Sequence, residues 1–240
     1  MAVLLLGIAL IRPVTGGAET VYRHQFIGQD AALERAVEDD DPVAVKAALR
    51  AGASVNARGA YGVTPVEYAI GTSMKRAAAA LFRHGADPNL RDQAGETAVT
   101  LAVDLYYKDR ELLGMVLDAG GDPNTRRSDR DPVIIRFLGA RDLAAITYMQ
   151  DRGVDLNLLD RTGRALIVST ASATDWDAVW HMIQLGADID TPRTRDGLVA
   201  TFRNVTSPPQ GSPLYDAKVK VYRLLVSKGL QPVPPVGLTP

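Results

Sequence analysis

The chain contains no cysteine, and this absence excludes a whole set of functions at once. Disulfide bonds, thiol redox chemistry, cysteine-based zinc sites and a lipid-modified N-terminal cysteine are all ruled out. Net charge is also small, because 27 Lys and Arg balance 28 Asp and Glu to give a formal net charge of −1. A chain with so little net charge has no global attraction to nucleic acid or to an anionic membrane.

Recognisable catalytic motifs are missing as well. The three histidines are scattered through the chain, and there is no His-Glu-x-x-His, no Gly-rich phosphate loop after a strand and no Gly-x-Ser-x-Gly. The aspartate run at 39–41, followed by Pro42, is better explained as a helix start than as a metal site, because carboxylates are favoured at helix N-termini. We therefore predict a protein that is not an enzyme and that holds no cofactor or metal.

What the chain does contain is a repeated segment. Gly-Ala-Asp-Pro-Asn at 85–89 returns in related form at 52–56, 120–124, 153–157 and 186–190, with a worn copy at 228–230. The six leading glycines, at positions 52, 85, 120, 153, 186 and 229, are separated by 33, 35, 33, 33 and 43 residues. A period near 33 indicates an array of structural repeats.

Each repeated glycine ends an apolar stripe at helical spacing, such as Leu81 and Phe82 before Gly85. A glycine there supplies the left-handed residue that closes a helix. Twelve residues after a glycine stand the helix starts Thr64-Pro65 and Thr97-Ala98, where threonine can cap the helix and proline fits its first position. The corresponding starts in later units are predicted at Asp131-Pro132, Ala165-Leu166 and Leu198-Val199. Each unit is thus predicted to consist of a turn, a short helix, a tight connection, a second helix and a glycine that ends it.

These residues resemble the ankyrin repeat, whose signature is Thr-Pro-Leu-His-x-Ala, followed by a second helix and Gly-Ala-Asp-x-Asn. The resemblance covers about residues 30–230, with Glu67 and Thr100 in place of the signature histidine. It implies an all-α fold, an ankyrin-repeat solenoid of five to six stacked helix-turn-helix units. It also implies a binding role, with a concave face made of first helices and loop tips.

The chain is predicted to divide into a leader, a repeat domain and a tail. Units are expected at about 30–59, 60–92, 93–127, 128–160, 161–193 and 194–230, after a lead-in at 19–29 and before a Pro-rich tail at 231–240. Residues 1–18 resemble a secretory signal peptide, because a nine-residue apolar run precedes small residues suited to cleavage. That run is too short to span a membrane, which takes about 20 residues. We expect a periplasmic or secreted protein without stable membrane insertion after cleavage; a cytoplasmic location is the alternative, since no Lys or Arg precedes the run.

Arginines recur at the turns between units, and these supply most of the candidate partner-binding residues. The same offset in successive repeats lies on the same edge, so the arginines are predicted to form a row suited to an acidic partner. Aromatic side chains nearby are candidate anchors. The predicted binding residues are Arg58, Tyr61, Arg91, Tyr106, Tyr107, Arg126, Arg127, Arg130, Arg161, Trp176, Arg193 and Arg195, and Arg164 belongs to the same row. Neighbouring aspartates partly neutralise this row, which leaves open whether it is used in binding.

Two function classes follow. The first is a non-enzymatic module, monomeric when unbound, that binds a partner protein; an inhibitor or toxin-immunity protein is a subtype that rests on the resemblance and on export. The alternative is a small-molecule-binding or enzymatic site built on the atypical last unit, from Thr201, Arg203, His181 and the long loop at 204–214. A nucleic-acid partner is disfavoured, because the aspartates beside the arginines compensate the positive charge that phosphate tracking requires.

Overall fold

A computed structural model describes residues 26–238. Over this range the fold is all-α: it contains no strand, and one isolated antiparallel bridge pairs Leu159 with Ala165. The predicted signal peptide at 1–18 and most of the lead-in lie outside the described residues. None of the helices in the described range has both the length and the apolar character needed to cross a membrane.

The helices fall into two compact units, which meet in the chain at Ser128 and Asp129. Unit 1 contains a 3-10 turn (Ala60–Gly62) and six helices: α1 (Asp30–Glu38), α2 (Pro42–Arg50), α3 (Pro65–Thr72), α4 (Lys75–Arg83), α5 (Ala98–Leu105) and α6 (Arg110–Asp118). The described part of unit 2 contains α7 (Ile135–Ala140), α8 (Leu143–Gln150), α9 (Leu166–Ser172), α10 (Trp176–Gln184), α11 (Pro192–Asn204) and α12 (Pro213–Ser227).

Within each unit the helices pack in two layers. Consecutive helices form pairs, such as α1 with α2 and α9 with α10. The first helices of successive pairs also pack on one another, α1 on α3 and α3 on α5 in unit 1, and α7 on α9 and α9 on α11 in unit 2. Second helices do the same, α2 on α4 and α10 on α12. The core of each unit lies between these layers, where Leu33, Ile70 and Leu112 in unit 1 and Phe137 and Leu166 in unit 2 are fully buried.

The helix starts predicted at Thr64 and Thr97 are confirmed, and both are complete capping boxes. The Thr64 hydroxyl accepts from the Glu67 amide at 3.2 Å, and the Glu67 carboxylate accepts from the Thr64 amide at 2.6 Å. Thr97 and Thr100 repeat this exchange at 3.2 and 2.8 Å. Each box satisfies two N–H groups that a helix start otherwise leaves without a partner. Glu67 and Thr100 therefore have a local structural role.

The helix stops are confirmed too. Gly85 adopts φ = +86° directly after α4 and its C-cap residue His84. The other five repeated glycines have φ between +80° and +104°. A side chain is strained in this left-handed region, which explains why glycine recurs there.

Two of the predicted helix starts in unit 2 are wrong. Leu198 and Val199 lie in the middle of α11, which begins at Pro192 after the cap Thr191. Thr191 lies only five residues after the stop glycine Gly186. Because Thr191 caps the helix and Pro192 fits its first position, α11 begins without the longer turn that precedes α3 and α5.

At the other misassigned start, α7 begins at Ile135 rather than after Pro132, and its N-cap residue Ile134 makes no side-chain cap. Asp131 does not cap α7; its carboxylate accepts from the Arg161 amide at 2.7 Å instead. The start predicted at Ala165-Leu166 is confirmed, because α9 begins at Leu166 without a side-chain cap.

The long loop of the last pair joins α11 to α12, and the end of the chain packs against it. The Tyr215 hydroxyl donates to the Val236 carbonyl at 3.0 Å, and the Val236 amide donates to the Ser207 hydroxyl at 3.3 Å. Pro232 and Pro235 are buried. The segment predicted as a tail is therefore held against the loop as far as it is described.

Candidate binding surfaces

The turns within each unit are joined by asparagine side chains. In unit 1, Asn89 accepts from the Asp122 amide at 2.7 Å and donates to the Gly120 carbonyl at 2.9 Å. Asn56 accepts from the Asp87 amide at 2.9 Å in the same way, one turn earlier. In unit 2, Asn157 accepts from the Asp188 amide at 2.7 Å. The last residue of the repeated segment thus bridges each of these turns to the next.

Two arginines of the predicted row make a parallel set of bridges. Arg58 donates to the carbonyls of Gly62 at 2.8 Å and Arg91 at 2.6 Å, and Arg91 donates to those of Gly95 at 2.5 Å and Arg126 at 2.9 Å. These guanidinium groups satisfy backbone carbonyls, which reduces the number of donors they can offer to a partner. Their positions in successive turns are explained by folding alone.

Arg127 is not placed for partner binding. Its guanidinium forms a bidentate ion pair with Asp104, at 2.8 and 3.2 Å, and the two side chains are only 12% and 9% exposed. The sequence prediction is corrected here, because the apolar helix α5 carries Asp104 to a position where only an internal cation can neutralise it.

Arg193 and Arg195 are corrected as well, since both lie in α11 rather than in a turn between units. Arg193 donates to the Gly163 carbonyl at 3.1 Å, and Arg195 is half-buried. Arg126 is half-buried, whereas Arg130 is exposed, with φ = +70°.

Two of the four predicted aromatic anchors are core residues. Trp176 is fully buried against Phe202, with ring centroids 4.8 Å apart, and Tyr106 is 3% exposed. Aromatic residues carry the largest apolar surface, so folding buries them where a helix face allows. Tyr61 and Tyr107 remain exposed.

One groove in unit 2 brings several polar side chains together; we call it the unit 2 groove. It has a volume of about 430 Å³ and lies between α7, α9 and the turn at 160–164. Its apolar lining includes Ile135, Leu138 and Leu166. Arg141, Arg161 and Arg164 also line it, and each side chain is more than half exposed.

Asp160 fixes the turn that forms one wall of this groove. It accepts from the Thr162 hydroxyl and amide and the Arg164 amide at 2.6 to 3.0 Å, and from the Ser169 hydroxyl at 2.5 Å. Burial alone would raise the pKa of this carboxyl, but the hydrogen bonds from Ser169, Thr162 and Arg164 together hold it well below the ordinary value. The Asp160 charge therefore persists, and Arg164 Nε lies 3.4 Å from it.

Asp175 is a second, less satisfied carboxylate of the groove. It caps α10 through the Ala178 amide, and its side chain is 4% exposed. Its Oδ2 atom has no hydrogen-bond partner among the described residues, although Arg141 Nε lies 3.5 Å away. Burial raises the pKa of this carboxyl. Sequence analysis missed both Arg141 and Asp175, because neither lies in the turns between units.

A second groove, the unit 1 groove, lies on the layer of second helices and has a volume of about 480 Å³. It is lined by Pro42, Val43, Lys46, Ala47 and Arg50 from α2, and by Ala80, Arg83 and His84 at α4. Sequence analysis did not single out this surface, since its residues belong to ordinary amphipathic helices.

The residues of the alternative site, which was predicted in the last repeat, do not line either groove. Thr201 is buried and donates to the Gly197 carbonyl at 2.8 Å, while a ring nitrogen of His181 is 2.7 Å from the Thr147 hydroxyl. The buried Lys218 donates to Val205 and Ser207 in the long loop, both at 3.2 Å.

Lys218 also packs over the ring of Trp176 at 5.0 Å. Burial lowers the pKa of its amine. This lysine anchors the loop rather than opening a site.

Across residues 26–238, no group of histidine and acidic side chains is arranged to hold a metal ion. No protein-family model matches the chain, and no curated protein is similar enough to it to count as a relative.

Proposed function

We propose that this protein is a non-enzymatic ankyrin-type repeat solenoid that binds a partner protein through the unit 2 groove. The two-layer packing of helix pairs, the left-handed stop glycines and the asparagine bridges support the ankyrin-type architecture. In such a solenoid, first helices and turn tips form the recognition face. The walls of the unit 2 groove are made of these two kinds of element.

The observation that carries the proposal is the convergence of Arg141, Arg161 and Arg164 around an apolar floor. A carboxylate lies near each guanidinium group: Asp175 is 3.5 Å from Arg141 Nε, Asp131 is 3.8 Å from Arg161 Nε, and Asp160 is 3.4 Å from Arg164 Nε. These contacts restrict the three side chains, which reduces the entropy that they lose on binding.

The chemistry of the groove defines the partner. Guanidinium groups form bidentate contacts with carboxylates, and the apolar floor formed by Ile135, Leu138 and Leu166 accepts an aliphatic side chain. The partner segment that fits is an acidic residue beside an apolar one.

We also propose that the protein is exported, that it binds its partner in the periplasm or outside the cell, and that it acts there as an inhibitor or a toxin-immunity protein. The support is the apolar run and small-residue site at 1–18 together with a groove that offers binding groups and no catalytic constellation. The partner-binding set becomes Arg141, Arg161 and Arg164 rather than the whole row of turn arginines.

An affinity capture from extracts of the native host tests the proposal, with residues 19–240 as bait. The variant Arg141→Gln/Arg161→Gln removes two charges from the groove, and Arg203→Gln/Arg223→Gln removes two charges from exposed helix positions elsewhere in unit 2. We expect one stoichiometric protein to be retained by the wild type and by the control but lost from the groove variant. Equal capture by all three baits would exclude the groove as the binding site.

A further inference from the structure

The unit 1 groove is a concave strip between two second helices that pack on each other. Val43, Lys46, Ala47 and Arg50 follow one another at spacings of three, one and three residues, which places them on one face of α2. From α4, Ala80 and Arg83 complete the strip, with His84 just beyond the helix. Val43 is 75% exposed on this face, whereas Val45 and Ala48 of the same helix are buried.

The positive charge of this groove is not compensated within the described chain. Among residues 26–238, no carboxylate lies within ion-pair distance of Lys46, Arg50 or Arg83. Arg83 uses only its Nε atom, which donates to the Ala79 carbonyl at 3.1 Å. This contrasts with the turn arginines Arg58 and Arg91, whose guanidinium groups bridge backbone carbonyls.

The charge also changes sign along α2. Glu38 and Asp39 are exposed just before the helix, and Asp41 caps its first turn. Lys46 and Arg50 follow toward its C-terminal end, beside Arg83 and His84. The nine residues of α2 span about 13 Å, which exceeds the screening length of about 8 Å at physiological salt, so the two ends act as separate charges.

We infer that the unit 1 groove docks a short amphipathic segment of a partner protein, apolar in its middle and acidic at the end that lies over Arg50 and Arg83. The concave apolar strip from Val43 to Ala80 accepts aliphatic side chains, and the basic end neutralises the carboxylates of the segment. A flat anionic membrane fits less well, because its phosphates would lie as near to Glu38 and Asp39 as to Arg50. This surface belongs to a different unit and a different helix layer from the unit 2 groove, so either site can fail without the other.

A synthetic peptide tests this inference directly. The probe carries leucines at helical spacing and glutamates at its C-terminal end, with a fluorescent label, and its binding to the full chain is followed by fluorescence anisotropy. A second peptide carries lysines in place of the glutamates. We expect the full chain to bind the glutamate peptide at least about tenfold more tightly in Kd, since only carboxylates can neutralise the basic end formed by Lys46, Arg50 and Arg83.

Two variants locate the binding. Arg50→Gln/Arg83→Gln and, separately, Val43→Asp should each weaken the preferred peptide by about tenfold, which corresponds to about 1.4 kcal/mol. Arg203→Gln/Arg223→Gln loses the same charge at exposed positions of unit 2 and should bind as the wild type does. Circular dichroism and urea unfolding establish that each variant is folded.

Three results would overturn the inference. The first is equal binding of both peptides, or of neither, by the wild-type chain. The second is unchanged binding by both groove variants. The third is cosedimentation with phosphatidylserine vesicles that Arg50→Gln/Arg83→Gln abolishes while no peptide binds, because the groove would then recognise a lipid surface rather than a protein segment.

Discussion

Arg127 donates to both carboxylate oxygens of Asp104, 23 positions earlier in the chain, and the pair is nearly enclosed. A cation chosen from the sequence as a contact for a partner is thus committed to the interior of unit 1. Removing it would leave a carboxylate with little water to solvate it, which costs more than the loss of an exposed ion pair.

We expect Arg127→Ala to lower the free energy of unfolding by about 3 kcal/mol, because Asp104 then stays charged and unpaired. Urea unfolding followed by circular dichroism measures this change. Arg203→Ala is the matched control and should change the stability by less than about 0.5 kcal/mol, since Arg203 is exposed on α11. Adding Asp104→Ala to Arg127→Ala should recover part of the loss; a further drop would contradict the ion-pair explanation.

Asn89→Ala should destabilise unit 1 by about 1–2 kcal/mol, because the variant loses one hydrogen bond accepted from Asp122 and one donated to Gly120. Asn89→Asp keeps the acceptor but cannot donate to the Gly120 carbonyl, so it should also destabilise. Asn204→Ala, at the exposed end of α11, serves as the control. Thermal unfolding compares the three variants. A Tm for Asn89→Ala equal to that of the control would show that the asparagine bridges do not stabilise the fold.

Glu67 gives unit 1 a stability that depends on pH. Burial raises the pKa of its carboxyl to about 7 from the ordinary 4.5, against the lowering effect of the hydrogen bonds with Thr64. A carboxyl whose pKa is higher in the folded state binds its proton more tightly there. Its stabilising contribution is therefore complete below about pH 4.5 and is lost as pH rises to about 7.

Glu67→Gln removes this titration while keeping an amide oxygen that can accept from the Thr64 amide. We expect the variant to gain stability relative to the wild type between pH 4.5 and 7, by at most about 3 kcal/mol. Urea unfolding at pH 5 and pH 8 provides the comparison. Stability curves of the two proteins that run parallel over this range would show that Glu67 is not the titrating group.

Gly197 lies inside α11, where replacing glycine by alanine would normally stabilise the helix by about 1 kcal/mol. Here a Cβ atom would lie 2.8 Å from Val168 Cγ2 and 2.9 Å from Cγ1 on α9. We therefore expect Gly197→Ala to destabilise unit 2 by about 1–2 kcal/mol despite its better helix propensity.

The compensating variant makes this prediction specific. Val168→Ala removes the two methyl groups that the new Cβ would meet, so Gly197→Ala should be stabilising in that background. A double-mutant cycle from chemical unfolding gives the coupling. If Gly197→Ala changes the stability equally in both backgrounds, close packing of α9 on α11 does not explain this glycine.

The helix stops and the helix starts at Thr64 and Thr97 could be predicted from the sequence, because each depends on chemistry within a few residues. Thr64 and Thr97 each cap the helix that they begin, and Gly85 adopts a left-handed backbone conformation that favours glycine. Burial could not be predicted in this way. Tyr106 and Trp176 look like exposed anchors in sequence, and only the packing of neighbouring helices makes them core residues.

The tight connections inside the helix pairs share a backbone conformation that no residue type marks in the sequence. Four of them contain a non-glycine residue with positive φ, at Asp40, Ser73, Arg141 and Thr174, and the intervals of 33, 68 and 33 residues match the repeat. Glycine would have marked these positions, but none of the four residues is glycine. The position of Arg141 in the unit 2 groove therefore could not be predicted from the sequence. The charge gradient of the unit 1 groove could not be predicted from the sequence for a different reason, because it depends on α2 and α4 lying side by side.

The order of chain synthesis also sets the order in which the asparagine bridges can form. Asn56 and Asn89 each require an amide that is made 31 or 33 residues later, so a chain emerging from the ribosome completes these bridges in order. Asp190 ends the series, because both of its carboxylate oxygens accept from Lys228, which follows the final helix. The last turn is thus tied to the end of α12 by a side-chain ion pair that stays partly exposed to solvent, whereas the earlier turns are joined to a backbone amide. Salt should therefore weaken the connection at Asp190 more than the asparagine bridges.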